Sequence, residues 1–144
     1  MYEFLEYRVK DVMTREAISI EPQTPLAEAE LIFEEHDFDA LPVLDREGRL
    51  VGVLAKLDLC RAFGFSPESV IPPYREILAR PVESVMTRSP VEVDPEMRLT
   101  RVLQMMIETR YKSFPVVENG RLAGVIARED VLRAVRRAGA GELP

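Results

Sequence analysis

The sequence predicts an α/β (α+β) fold made of two tandem βαββα repeats related by a pseudo-two-fold axis. Three observations predict it. First, Val9-Lys10-Asp11-Val12-Met13-Thr14-Arg15 returns 73 positions later as Val82-Glu83-Ser84-Val85-Met86-Thr87-Arg88. Pro22 and Pro95, Leu26 and Leu99, and Pro42-Val43 and Pro115-Val116 keep that offset. One residue is then lost in a turn, and at an offset of 72 Gly48-Arg49-Leu50 meets Gly120-Arg121-Leu122, Gly52-Val53 meets Gly124-Val125, and Asp58 meets Asp130. Register held over about fifty positions with one turn deletion is the mark of duplication. Second, each copy passes between strand-like and helix-like periodicity in the same order. Third, 47% hydrophobic and 31% charged residues is the balance of a globular chain.

The elements follow in order. Ala17 to Ile20 and Val91 to Val93 read as short strands. A helix follows each; in the first copy Thr24 is the expected N-cap and Pro25 the first helical residue. In the second copy Leu99, Val102, Leu103 and Met106 fall at i, i+3, i+4 and i+7 and form one apolar face. Two strands come next, Ala40 to Leu44 and Leu50 to Ala55, joined by the polar turn Asp45-Arg46-Glu47-Gly48-Arg49. Their counterparts are Phe114 to Val117 and Leu122 to Ala127, around Asn119-Gly120, a strong hairpin signal. A last helix starts near Leu57 in one copy and near Glu129 in the other. Residues 1–63 thus hold the first copy with an N-terminal segment, 64–81 a Pro- and Gly-containing linker, and 82–144 the second copy with a C-terminal helix. Tyr74 to Ala79 is a candidate short helix leading out of the linker. Copies this small bury little surface alone, so the two are expected to share a core.

Composition narrows the function. No apolar run reaches the roughly 20 residues that span a bilayer, and the acidic N-terminus does not read as a secretory signal. A single cysteine, Cys60, forbids an intramolecular disulfide and fits a reducing cytoplasm. With one His and one Cys the usual zinc sites lack ligands, so no metal is expected. The net charge of -6 disfavours general nucleic-acid binding. It is unevenly spread: residues 1–72 carry 15 acids against 7 bases, and residues 73–144 carry 10 against 12. No nucleophilic triad and no phosphate-cradling glycine loop is present. His36 sits at a helix end, where an imidazole suits the dipole, and Cys60 reads as packing in a short apolar helix. The chain is therefore not expected to be an enzyme.

The ordered set of Val-Met-Thr, strand, Leu-Pro-Val or Phe-Pro-Val, then Gly-hydrophobic-hydrophobic-x-x-x-Asp, given twice between Val9 and Arg137, resembles the CBS-domain pair, or Bateman module. The resemblance implies a regulatory module, often dimeric, that binds an adenosine-containing ligand (AMP, ADP, ATP or S-adenosylmethionine) in a cleft between repeats; no cofactor is required. It places Asp58 and Asp130 at the ribose hydroxyls. An ionised carboxylate is acceptor-only and can take both vicinal protons; an Asp that simply caps the following helix is the plainer reading, and the two are compatible. The resemblance puts Ala17, Ile18, Phe38 and Asp39 around one base pocket and Pro90, Val91, Tyr111 and Lys112 around the other. The sequence departs from the family at Ala55 and Ala127, where a hydroxyl is usual. Loss of one hydrogen bond costs roughly 0.5–1.5 kcal/mol.

The copies differ where charge matters. Lys112 offers a cation to a phosphate, whereas Asp39 at the matching position repels one. Arg128 is either a phosphate contact or a solvated helix start, and Lys56 reads as solvated. Two functions remain: a sensor of an adenosine-type ligand acting on a separate, unidentified protein partner, or a structural dimerisation module with degenerate, unoccupied sites. A homodimer is expected in either case, with Leu59, Phe63, Val131, Leu132 and Val135 as candidate contacts.

Overall fold

A computed structural model describes residues 2–64 and 73–144, so part of the 64–81 linker lies outside the described residues. Its elements are α1 (Val9–Val12), α2 (Leu26–Glu35), β1 (Ala40–Leu44), β2 (Leu50–Ala55), α3 (Lys56–Ala62), α4 (Tyr74–Leu78), β3 (Thr87–Arg88), α5 (Leu99–Thr109), β4 (Ser113–Glu118), β5 (Arg121–Ala127) and α6 (Arg128–Gly139). Short 3-10 turns lie at Tyr2–Glu6 and Val82–Ser84. The mixed helix-and-sheet, twice-repeated architecture is the one the duplication predicts.

The duplication describes sequence; the packing follows another division. Residues 18–90 form one compact unit, continuous in sequence, and residues 1–17 with 91–144 form the other, which is discontinuous. Each has its own core. Leu26, Ala29, Leu41, Val43, Leu54, Ile77 and Val82 are buried in the continuous unit. Tyr7, Val9, Leu99, Val102, Phe114, Val116, Ile126 and Ala134 are buried in the discontinuous one. The expectation of one shared core is therefore corrected. The segment that opens each copy packs with the hairpin of the other copy, and this brings each unit enough apolar surface for a core of its own.

The exchanged segment docks in the same way in both units. In the continuous unit β3 pairs antiparallel with β2, Gly52 opposite Arg88 and Val53 opposite Thr87, to give the order β1-β2-β3. In the discontinuous unit Thr14 bridges Val125 of β5 through two backbone hydrogen bonds of 2.9 Å. Glycine is required at both contacts. A Cβ at Gly52 would lie 2.7 Å from Met86 Sδ and 2.9 Å from Thr87 O, and one at Gly124 would collide with Thr14 O.

The hairpins follow the sequence closely. β1–β2 and β4–β5 are antiparallel, each with a bulge near its turn. Asn119 (φ 54°) and Gly120 (φ 77°) both take the left-handed conformation that a tight hairpin turn requires. In the first hairpin Asp45 Oδ1 accepts the amides of Glu47 and Arg49, which holds its carboxyl below the usual carboxylate range.

Three local expectations are corrected. The strands at 17–20 and 91–93 shrink to single parallel bridges, Ile20 to Val43 and Val93 to Val116. Helix α2 starts at Leu26 with Pro25 as N-cap, because the Thr24 hydroxyl already accepts the Glu21 amide and Leu26 N–H donates to Arg80 O. Cys60 is exposed, since α3 turns Asp58 and Leu59 inward.

Gly124→Ala should therefore destabilise the protein by about 2 kcal/mol or more, by forcing the Thr14 segment off β5. Gly48→Ala, at φ 80° with open space around it, should cost only about 1 kcal/mol. Denaturant midpoints of the two variants test this order, and equal losses would contradict it.

Candidate functional site

Each unit carries a corner where a hairpin strand runs straight into a helix. In the discontinuous unit β5 ends at Ala127, the N-cap of α6, whose extended backbone (φ −113°, ψ 168°) leaves the first helical amides facing outward. Asp130 stands at the third helical position. Its Oδ2 accepts the Ala127 amide at 2.8 Å, and its Oδ1 accepts Arg133 Nη2 at 2.6 Å. The same Arg133 nitrogen donates to Val12 O at 3.3 Å and so ties α6 to α1. Asp130 is buried, and its charge is matched by the guanidinium.

The continuous unit repeats the corner with different partners. Asp58 Oδ2 accepts the Ala55 amide at 2.9 Å and the Thr87 hydroxyl at 3.3 Å. Its ion pair with Arg61 is longer, 3.5 Å, and ends on a largely exposed guanidinium. Each aspartate is thus half of a capping box: it reaches back from the third helical position and does not occupy the cap itself. Ala55 and Ala127 are the caps, and an alanine side chain returns no hydrogen bond. Both carboxylates keep part of their accepting capacity, because an ionised carboxylate offers about four lone-pair sites.

A second clip assembles more of the site. Lys112 O accepts the Arg128 amide at 3.0 Å, and Asp39 O accepts the Lys56 amide at 3.2 Å. The chain entering each hairpin is thereby held at the start of the following helix. Tyr111, Lys112, Ala127, Arg128 and Asp130 come together in one unit, and Phe38, Asp39, Ala55 and Asp58 in the other. Phe38 is half-buried and stacks on His36 at 4.9 Å, whereas Tyr111 is exposed. Lys56 leans over the Phe33 ring, its Nζ 6.0 Å from the centroid. Among the described residues, the hydrogen bonds that build the two corners include none of Ala17, Ile18, Pro90 and Val91. These four lie where the chain passes from one unit to the other, at 17–18 and 90–91. Ile18 packs against the core of the continuous unit, and Val91 is exposed.

Beside the Asp130 corner lies a shallow concavity of about 340 Å³. Leu103, Ile107 and Leu132 supply apolar walls, and Arg110, Lys112 and Arg128 bring cations to it. Sequence reasoning missed Arg110 and Ile107. The signal was present in α5, whose apolar positions extend beyond the buried stripe of Leu99, Val102 and Met106. Of the candidate dimer contacts, Leu59 and Val131 are core residues, while Leu132 and Val135 are exposed. Phe63 packs on Tyr74 at 5.7 Å.

Charge sorts less sharply by unit than by sequence half. Residues 18–90 hold 13 acids against 7 bases, net -6, and the discontinuous unit holds 12 against 12, net zero. The positive balance of residues 73–144 therefore disappears once residues 1–17 join residues 91–144. An anion still meets less repulsion at the Asp130 corner than at the Asp58 corner. Among the described residues no cluster suits a metal ion, and no helix is long and apolar enough to cross a membrane.

Comparison with known proteins agrees with this geometry. The family model described as CBS domain matches residues 9–64 and 82–137. A 17.7 kDa uncharacterized protein of Acidianus ambivalens is 26% identical over 129 residues, which are 89% of this chain and 73% of that one. The A-adding tRNA nucleotidyltransferase of Aquifex aeolicus is 26% identical over 133 residues, but this chain spans only 15% of its length. Among solved structures, that of CBSX2 in complex with AMP is 28% identical with a TM-score of 0.79, covering 92% of this chain and 98% of that one.

The bare N-caps lead to a prediction. Ala127→Ser and Ala55→Ser should each stabilise the fold by about 1 kcal/mol, by returning an oxygen to the helix amides. Asp130→Ala should cost about 1–3 kcal/mol, since it strips the Ala127 amide and Arg133 of their acceptor. Thermal unfolding of the three variants reads both signs.

Proposed function

This chain belongs to the CBS domain family, and on that premise we propose that it is a regulatory module that binds an adenosine-containing ligand and conveys its presence to a separate protein partner. The observation that carries the reading is the repeated corner, a buried Asp three residues after a strand-to-helix junction, in a chain that aligns over most of its length with the AMP-bound CBSX2. The ligand class is an adenine nucleotide (AMP, ADP or ATP) or S-adenosylmethionine. Nothing in this reading needs a catalytic group.

The Asp130 corner is the preferred site. Asp130 accepts the ribose hydroxyls with its remaining lone pairs, and Lys112 and Arg128 meet the phosphate. At the Asp58 corner, Asp39 stands where Lys112 does and opposes a phosphate. Tyr111 and Phe38 are the candidates for packing on the base, with Val91, Pro90, Ile18 and Ala17 as the remaining lining. A second reading, a structural dimerisation module with empty sites, draws support from Ala55 and Ala127 and from carboxylates already engaged by the chain's own donors.

Calorimetry with AMP, ATP and S-adenosylmethionine separates the two. The sensor reading expects one dominant nucleotide per chain, binding that weakens as ionic strength rises, and a loss of about tenfold or more in Lys112→Glu. Asp39→Ser should strengthen the weaker site. Asp130→Ala should lose roughly 1.5–3 kcal/mol with the ribose ligand and little more with its deoxy analogue. Failure of every adenosine compound to bind would leave the structural reading in place.

A further inference from the structure

The two aspartate corners are built alike, but different atoms join them to their docked segments. At the offset of 72, Arg61 answers to Arg133 as Asp58 does to Asp130. Arg61 stands 3.5 Å from Asp58, and its side chain is 70% exposed. Arg133 Nη2 lies 2.6 Å from Asp130 Oδ1 and also donates to Val12 O at 3.3 Å. One guanidinium nitrogen thus serves the buried carboxylate and the N-terminal segment together. The bond to Val12 is longer than the usual 2.9–3.0 Å or so of an N–H to carbonyl contact, so it has room to tighten.

Both ends of this link sit at points of consequence. Val12 is the last residue of α1, where a helix leaves its carbonyls without partners of its own. Next come Met13, buried in the core, and Thr14, whose amide and carbonyl make the two bonds to Val125. Arg133 therefore grips the docked segment two residues before it joins β5. At the other end, the Ala127 amide on Oδ2 and Arg133 on Oδ1 fix the plane of the Asp130 carboxylate and leave a lone pair on each oxygen. A vicinal diol can give one proton to each. Once it does, the carboxylate serves more donors, its hold on Arg133 weakens, and the guanidinium turns more fully to the Val12 carbonyl.

We infer that Arg133 couples the Asp130 carboxylate to the docked N-terminal segment, so that an adenosine-containing ligand at this corner tightens the hold of α6 and β5 on residues 12–14. The inference rests on the sensor reading above and adds to it the route, within one unit, by which occupancy changes the fold. By linkage, a firmer segment favours the ligand by the same factor. Arg133 acts through Asp130 and is a positioning residue. At the Asp58 corner the tie is the Thr87 hydroxyl itself, so a ligand there competes with the docked segment and does not tighten it.

Hydrogen exchange read at single amides of the full chain tests it, after calorimetry has shown which of AMP, ATP and S-adenosylmethionine binds. In the parent, saturating ligand should slow exchange at Thr14 and Val125 by about fivefold or more beyond the slowing at Leu44, whose amide is bonded in the other unit. Arg133→Met should cut that excess to less than about twofold. Arg133→Lys, which can donate to both acceptors from one nitrogen, should restore much of it, and Arg61→Met should leave it as in the parent. Arg133→Gln replaces Arg133→Met if circular dichroism shows the latter unfolded. If none of the three compounds binds the parent, the sensor reading fails and this inference with it. If one binds but Thr14 and Val125 gain no more than Leu44, or if Arg133→Met keeps the full excess, this inference alone is overturned. The same holds if Arg61→Met removes the excess equally, or if Arg133→Met abolishes binding and Arg133→Lys does not restore it.

Discussion

Two glycines let a Val-Met-Thr segment lie directly on the strand of the hairpin that belongs to the other copy, and the remaining structure is arranged around that contact. With a side chain at Gly52 or Gly124 the approaching backbone would be held off, and the ladder from β2 to β3, or from β5 to Thr14, would be lost. Once the segment is docked, its neighbours reach the core. Val9 and Val12 enter the discontinuous unit, and Val82 and Met86 the continuous one. The exchange explains how units this small can each close a separate core.

The same contact reaches the two aspartates by different routes. In the continuous unit the docked segment donates to Asp58 through the Thr87 hydroxyl. In the discontinuous unit the link runs through Arg133, which holds Asp130 and the Val12 carbonyl with a single nitrogen. The two corners thus differ in how the docked segment is tied to the carboxylate, while the carboxylate, its capped amide and an arginine three residues on are common to both. A ligand drawing on Asp130 would compete with a close guanidinium at 2.6 Å, whereas one drawing on Asp58 would compete with a neutral hydroxyl and a looser guanidinium at 3.5 Å.

Much of this was legible in the sequence, and the misses have physical causes. The repeat, the hairpins, their turn and the pairing of Asp58 with Asp130 could be read because turns, register and periodicity are local. Which copy each Val-Met-Thr segment packs against could not be read that way, because nothing local distinguishes docking on one's own hairpin from docking on its twin. The strands at 17–20 and 91–93 were overread: alternating apolar residues met a single bridge in each case. Pro25 became a cap and not a first helical residue because Thr24 had a competing partner in its own turn. The two corner clips at Lys112 and Asp39 were invisible since they use main-chain carbonyls, which every residue possesses. Arg110 was missed because nothing local to its position shows that the fold brings it to one concavity with Lys112 and Arg128.

The division of the chain also sets an order of events during synthesis. The continuous unit needs only residues 18–90 and has all of its parts once they have left the ribosome. The discontinuous unit is complete only when residues 91–144 have followed, so residues 1–17 emerge first and find their partners last. Throughout that interval Tyr7, Val9 and Val12, all destined for a core, lack the surface that will bury them. The last-made third of the chain therefore completes the core that the first-made residues enter.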